Sequence, residues 1–156
     1  MTQDTAGVKF PPPLIYLIAI LLGYALNRLH PLPILSSDWD LLRRAWGWFG
    51  ILAFFGLAFT ALGLFKRAGT SFHPRRPSTA LVESGPYRFT RNPMYVSFGC
   101  LMIGVALLTN GLWTLLLVPV VLLIVDRAVI QREEQYLERI FGNEYRQYKT
   151  RVRRWL

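Results

Sequence analysis

The feature that most constrains the fold is a run of 34 residues without a charged side chain, residues 92–125. As one α-helix, rising about 1.5 Å per residue, this run would be roughly 50 Å long, well beyond a hydrocarbon core about 30 Å thick. A Thr-Asn-Gly turn signal lies at its midpoint, at 109–111. The run therefore predicts two membrane helices, over about 93–109 and 112–130, joined as a helical hairpin.

Two further apolar stretches precede this run. Residues 46–65 are uncharged, begin with tryptophans and are followed by two basic residues, as a membrane helix with an interfacial start would be. The stretch after the triple proline at 11–13 is shorter. We interpret it as a retained helix over about 13–30, because no small-residue cleavage site follows it. The predicted fold is one all-α integral membrane domain, residues 1–156, with four transmembrane helices.

The distribution of charge predicts the orientation. The chain has 18 Lys and Arg against 9 Asp and Glu. With four spans, fifteen of the basic residues fall on the side of the termini and three on the other. The positive-inside rule then places both termini, the loop 66–92 and amphipathic C-terminal helices over 131–156 in the cytosol, which we expect to be that of a bacterium with this protein in its inner membrane. Because the basic residues flank apolar stretches, we expect membrane lipids and no nucleic acid as partners. Nothing in the sequence indicates the oligomeric state.

One proline and several glycines inside the predicted spans indicate how these helices bend and pack. Pro119 lacks a backbone donor and is expected to kink the fourth span. Glycines allow helices to approach closely in a membrane. We interpret five of them in this way: Gly50, Gly56, Gly63, Gly99 and Gly104.

Two polar segments on the predicted cytosolic face contain most of the polar chemistry. The first, 81–95, includes a Gly-Pro turn and then Asn92 and Pro93, an N-cap followed by the first position of a helix. The free N–H groups at this helix start, with Arg88 and Arg91 beside them, predict an anion site. Each arginine could instead be a membrane anchor on the cytosolic side.

The second polar segment, 126–134, directly follows the fourth predicted span. Neighbouring residues on a helix point about 100° apart, so Glu133 and Glu134 can serve different purposes. One could face a ligand while the other pairs with a loop arginine. The alternative is a solvated face with salt bridges to neighbouring arginines. Asp126 could pair with an arginine or lie in a substrate cavity.

The chain continues with Gly142, a predicted helix C-cap, and a tail, 143–156, typical of a basic, aromatic interfacial helix. The two histidines, His30 and His73, fall on opposite sides of the predicted membrane, so no metal site is expected.

The order of these motifs resembles the isoprenylcysteine carboxyl methyltransferase and phospholipid methyltransferase superfamily over roughly residues 66–156. The residues that carry the resemblance are Gly85-Pro86-Tyr87-Arg88, Arg91-Asn92-Pro93-Met94-Tyr95, Glu133-Glu134, Phe141-Gly142, Tyr145 and Tyr148. Many members have His where this chain has Asn92, so no proton-accepting role is placed there.

The resemblance implies S-adenosylmethionine as cofactor and methyl transfer to a lipophilic or membrane-embedded acceptor, which could be a carboxylate, a thiol or an amine. It implies that Arg88 or Arg91 holds the methionine carboxylate and that the two glutamates hold the ribose hydroxyls and the amino or sulfonium group. Glu134 and Arg91 are the catalytic candidates, with Glu134 as base for an amine or thiol. The implied cofactor-binding residues are Val82, Gly85, Pro86, Tyr87, Arg88, Arg91, Asn92, Pro93, Tyr95, Glu133 and Glu134, and the implied substrate residues are Asp126 and Arg127.

Two other functions stay open at this point. A membrane reductase of the sterol reductase type would use NADPH and has comparable C-terminal signals. A non-catalytic small membrane protein would bind no cofactor. A soluble nucleotide-binding fold is disfavoured because no Gly-x-Gly-x-x-Gly turn is present.

Overall fold

The structure, a computed structural model, describes residues 11–70 and 78–156. Every regular element in these residues is helical. The elements in chain order are α1 (Pro12–Leu29), a 3₁₀ turn (Ser37–Trp39), α2 (Asp40–Arg67), a second 3₁₀ turn (Gly85–Arg88), α3 (Pro93–Thr109), α4 (Leu112–Val125), a π-helical turn (Asp126–Ile130), α5 (Gln131–Phe141) and α6 (Asn143–Arg151). The predicted N-terminal segment up to residue 10, and loop residues 71–77 with His73, lie outside the described residues.

Within the described part of the chain, three helical stretches are long and apolar enough to cross a membrane: Pro12–Leu29, Ser37–Arg67 and Leu112–Phe141. The helix α3 is apolar but has only 17 residues. An all-α integral membrane protein is therefore confirmed, whereas the fourth span and the membrane-crossing hairpin stay predictions.

The helix α2 begins at Asp40, earlier than the predicted start near residue 46. Arg43 explains the difference, because its buried guanidinium pairs with Asp40 and donates to the main-chain oxygens of Leu107 and Leu108. These oxygens belong to the last turn of α3, where helical carbonyls lack an intrahelical partner. A charge at this position is thus compatible with an apolar helix.

The described residues divide into two compact units. The apolar helical unit comprises residues 11–56 and 95–125. The loop-and-tail unit comprises residues 57–70, 78–94 and 126–156. Each unit is described below by itself.

In the apolar helical unit, the α1–α2 connection is tied to the turn between α3 and α4. Asn110, with φ of 51°, accepts hydrogen bonds from the amides of Ile34 (2.9 Å) and Leu35 (3.1 Å) and donates to the Leu35 oxygen (2.9 Å). The predicted turn signal therefore does form a turn, and it lies at the same end of the unit as the α1–α2 connection.

Glycines in this unit make close helix contacts at some positions and none at others. A Cβ on Gly104 would lie 2.8 Å from the main-chain oxygen of Gly47, and one on Gly50 would lie 2.9 Å from that of Cys100. Gly99 meets only an ordinary contact with Leu122. A Cβ added at Gly56, or at Gly63 of the loop-and-tail unit, would meet no described atom within 4 Å beyond its own stretch of helix, so the packing prediction is wrong for these two positions.

The loop-and-tail unit is built around the end of α2 and two short helices. Ala61 packs with Val82 and Tyr87 in a small apolar cluster. The π-helical turn continues α4 directly into α5. Gly142 caps α5 with a positive φ of 53°, as predicted, and this residue redirects the chain into α6.

Candidate functional site

The segment before α3 is held by hydrogen bonds that fix the main chain around Arg91. The Thr90 hydroxyl oxygen accepts from the amide of Asn92 at 3.1 Å. The α3 helix then begins at Pro93, which is fully buried and occupies the predicted first helical position. Arg91 therefore lies immediately before a helix N-terminus, where backbone N–H groups and the helix dipole favour an anion.

Arg91 forms a buried ion pair with Glu134 of α5. Its Nη2 lies 3.0 Å from the Glu134 Oε1, and the two side chains are 10% and 7% exposed. Among the residues that the structure describes, the buried Nε of Arg91 has no hydrogen-bond partner. Buried donors of this kind are rare and costly, so this nitrogen is an available donor for a ligand oxygen.

Glu134 is also bound by Arg154 from the C-terminal tail. The Arg154 Nε donates to Oε1 at 3.0 Å and its Nη2 to Oε2 at 2.6 Å, which is a bidentate arrangement. The same guanidinium contacts both oxygens of Asp126, at 3.2 and 3.3 Å. Its hydrogen bond to Glu134 raises the pKa of Arg154 above the ordinary arginine value, so the group stays charged. Arg91, Glu134, Arg154 and Asp126 thus form one connected network.

Three buried tyrosines, Tyr87, Tyr145 and Tyr148, belong to the same unit as this network. Burial raises the pKa of each above the ordinary tyrosine value, and the negative charge of Glu133 adds to the effect for Tyr87 and Tyr145. All three hydroxyls therefore stay protonated at physiological pH and act as neutral polar groups. Glu133, whose side chain is half-buried, directly precedes Glu134 on α5.

An open cleft of about 620 Å³ lies in the same unit. Its wall is largely apolar, with two arginines at the edge. The lining residues are Leu64, Arg67, Ala68, Leu81, Val82, Glu83, Ser84 and Arg88. In the described part of the chain, no group of three or more His, Cys, Asp or Glu side chains could hold a metal ion.

Comparison with known proteins identifies the family. Residues 42–144, more than half of the chain, match the family model of phospholipid methyltransferases. The chain belongs to this family.

Two relatives support the assignment. The chain is 34% identical over 107 residues to a protein-S-isoprenylcysteine O-methyltransferase of Schizosaccharomyces pombe, a match that covers 62% of this chain and 45% of that protein. It is 41% identical over 63 residues to an uncharacterised protein of Haemophilus influenzae, covering 40% of this chain and all of that protein. The chain thus spans less than half of the fission yeast relative. No solved structure matches it significantly.

This family membership supports methyltransferase activity at a membrane. The site residues predicted from the sequence divide into three groups by their place in the structure. The structure brings one group into or beside the buried network: Tyr87, Arg91, Asn92, Pro93, Asp126, Glu133 and Glu134. A second group lies at the turn and cleft near the end of α2: Val82, Gly85, Pro86 and Arg88. Arg127 is exposed, and Tyr95 belongs to the apolar helical unit, where its main-chain oxygen accepts from Tyr16 at 3.3 Å.

Sequence analysis did not assign Arg154, Tyr145 or Tyr148 to the site of this phospholipid methyltransferase family member. The two tyrosines lie three residues apart in an otherwise polar helix, and this spacing was a usable signal for a buried face. Arg154 carried no such signal, because it is one of several arginines in the basic tail.

Proposed function

We propose that the chain transfers a methyl group from S-adenosylmethionine to a lipophilic acceptor at the cytosolic membrane face. Family membership and the name of the fission yeast relative support the reaction class. The structural observation that carries the proposal is the unpartnered, buried Nε of Arg91 directly before the N-terminus of α3.

The residues present fit the cofactor. The methionine part ends in a carboxylate, and Arg91, with its available Nε beside the N-terminus of α3, offers a positive position with a donor for such a group. Arg88, the alternative from the sequence, is exposed and lines the cleft. We therefore assign the carboxylate to Arg91.

We assign different roles to the two adjacent glutamates. Both oxygens of Glu134 accept hydrogen bonds, from Arg91 or Arg154. Glu134 therefore orients Arg91, and it could act as a base only after releasing one of these bonds. Glu133 is half-buried and adjoins Glu134 on α5, and we assign it to the ribose hydroxyls or the amino group.

When bound, S-adenosylmethionine supplies an already activated methyl group on a sulfonium centre. The chain's own residues then have to bind, orient and exclude water, which are the main sources of rate enhancement for such a transfer. The buried network supplies fixed charges, and the protonated tyrosines add neutral donors around it. For a carboxylate acceptor no base is needed, whereas an amine or thiol acceptor has to lose a proton.

The cleft in the same unit as the network is the proposed acceptor site. Leu64, Leu81 and Val82 give it an apolar wall, and Arg67 and Arg88 give it a charged edge. Pockets of about 300–1,000 Å³ are typical of small-molecule sites. A lipophilic acceptor with a polar reacting end fits this composition.

Calorimetric titration of the detergent-purified protein tests the proposal. We expect saturable binding of S-adenosylmethionine and S-adenosylhomocysteine, loss of both in Arg91→Ala, and unchanged binding in Arg28→Ala, which removes an exposed arginine of α1. Binding of NADPH instead would support the reductase alternative. Absence of binding by every ligand would support a non-catalytic membrane protein.

A further inference from the structure

The C-terminal tail connects two carboxylates of the candidate site, those of Glu134 and Asp126. Arg154 contacts Glu134 of α5 and Asp126 of the π-helical turn through one guanidinium group. The Glu134 and Asp126 side chains are 7% and 15% exposed, and Arg154 itself is 32% exposed. A planar guanidinium with five donors in a fixed fork can satisfy two carboxylates at once, which a lysine ammonium cannot do with the same geometry.

The main chain of the tail also makes hydrogen bonds, and these go to the segment before α3. The Arg91 amide donates to the Arg153 oxygen at 2.9 Å. The Arg154 oxygen accepts from the Thr90 hydroxyl and from the Asn92 side-chain amide, both at 3.0 Å. The tail therefore binds the segment before α3 through its backbone and the α4–α5 junction through the Arg154 side chain.

The position of the Asp126 carboxylate depends on its contact with Arg154, because Asp126 lies at an irregular point of the helix. It begins the π-helical turn, a one-turn irregularity of a kind that often occurs at functional sites and that changes the direction in which following side chains point. Gln131 and Trp155 also donate to its carboxylate, at 3.1 and 3.3 Å. The position of Asp126 is thus fixed by the tail and by the start of α5.

We propose that Arg154 is a positioning residue of the site. It fixes the carboxylates of Glu134 and Asp126 relative to each other, and Glu134 in turn orients Arg91 for the cofactor carboxylate. This inference rests on the proposed function, because it assigns Arg154 to the same cofactor site. Arg154 acts through Glu134 and makes no contact with the reacting atoms. The C-terminal tail is accordingly part of the site's architecture, in addition to any role at the membrane surface.

The test is S-adenosylhomocysteine binding by calorimetry to the full-length protein in detergent, with thermal unfolding measured for each variant. Arg154→Ala should weaken binding about 10- to 100-fold, the range found when the orienting partner of a ligand-binding side chain is removed at metal sites. Arg154→Lys restores charge without the fork and should recover only part of the loss. Arg153→Ala removes an exposed neighbouring arginine side chain while keeping the main-chain oxygen, and it should bind like the wild type.

A double-variant cycle separates positioning from a general effect on folding. If Arg154 acts through Glu134, Arg154→Ala should add little to the loss already caused by Glu134→Gln. Additive losses, equal binding by Arg154→Ala and wild type, or full recovery by Arg154→Lys would each overturn the inference. If Arg154→Ala does not fold, Arg154→Lys carries the same cycle, since it keeps the charge, loses the fork and should weaken binding without adding to the loss in Glu134→Gln. A wild-type protein that binds no adenosyl ligand would refute the proposed function itself.

Discussion

The hydroxyl of Tyr148 donates a 2.7 Å hydrogen bond to the main-chain oxygen of Tyr87. Both tyrosines are buried, and the bond joins α6 to the 3₁₀ turn that precedes Arg91. An ion pair of 2.8 Å between Arg151 and Glu83 links the same two parts of the chain at the surface. The helix α6 therefore supports the main chain that carries the candidate anion site.

Tyr148→Phe should lower stability and weaken cofactor binding while preserving the fold. The change keeps the ring but leaves the buried Tyr87 oxygen without this donor, at a cost of about 1–3 kcal/mol. We expect a lower unfolding midpoint in detergent and weaker S-adenosylhomocysteine binding. Arg151→Ala, which breaks only the more exposed ion pair, should cost no more than about 1 kcal/mol. An equal loss in both variants would contradict this assignment.

The two adjacent glutamates should respond differently to the same substitution. Glu134→Gln leaves Arg91 and Arg154 without their shared carboxylate, and breaking a buried ion pair from one side costs about 3–5 kcal/mol. We expect a clear loss of both thermal stability and ligand binding. Glu133→Gln should weaken binding while changing the unfolding midpoint little. Melting curves and calorimetry of the two variants, run in parallel, check this, and the reverse pattern would exchange the two roles.

Sequence patterns predicted the helix ends better than they predicted the long-range contacts within the candidate site. The helix start at Pro93 and the cap at Gly142 follow from local propensities, which the structure confirms. The contact between Arg154 and Glu134 joins residues far apart in the chain, and no periodicity encodes such a pairing. The same limit applies to Gly63, since glycine spacing does not reveal which side of a membrane helix meets another helix.

Gly104→Val should destabilise the apolar helical unit. A Cβ at this position would lie 2.8 Å from the Gly47 main-chain oxygen and 3.1 Å from the Ile51 amide nitrogen, and backbone cannot move aside as a flexible side chain can. Overpacking of this kind typically costs about 1–3 kcal/mol. We expect a lower unfolding midpoint and reduced yield from the membrane. Gly63→Val is the matched control, because no described atom lies within 4 Å of its added Cβ.

Stability should fall at alkaline pH because of the buried tyrosines. Burial raises the pKa of Tyr145 in the folded state above its unfolded value of about 10. This contribution is fully present below about pH 10 and is lost as the pH rises further, by up to about 1.4 kcal/mol per pH unit for each such group. Tyr145→Phe removes one such group, so the unfolding midpoint of the variant should decline less steeply than that of the wild type between about pH 9 and pH 11, roughly one pH unit either side of the unfolded value. Parallel slopes for variant and wild type would contradict the assignment.

The predicted four-span topology would put the α1–α2 connection and the candidate site on opposite sides of the membrane. Cys100 is the single cysteine of the chain, so Cys100→Ser gives a background for single-cysteine reporters. In intact cells, a membrane-impermeant maleimide should label Ser36→Cys, in the α1–α2 connection, and should label Ser84→Cys, in the exposed turn before Tyr87, only after the cells are opened. The same expectation follows from the fifteen-to-three division of basic residues. Labelling of both reporters in intact cells would refute the four-span topology, because it would put both connections outside.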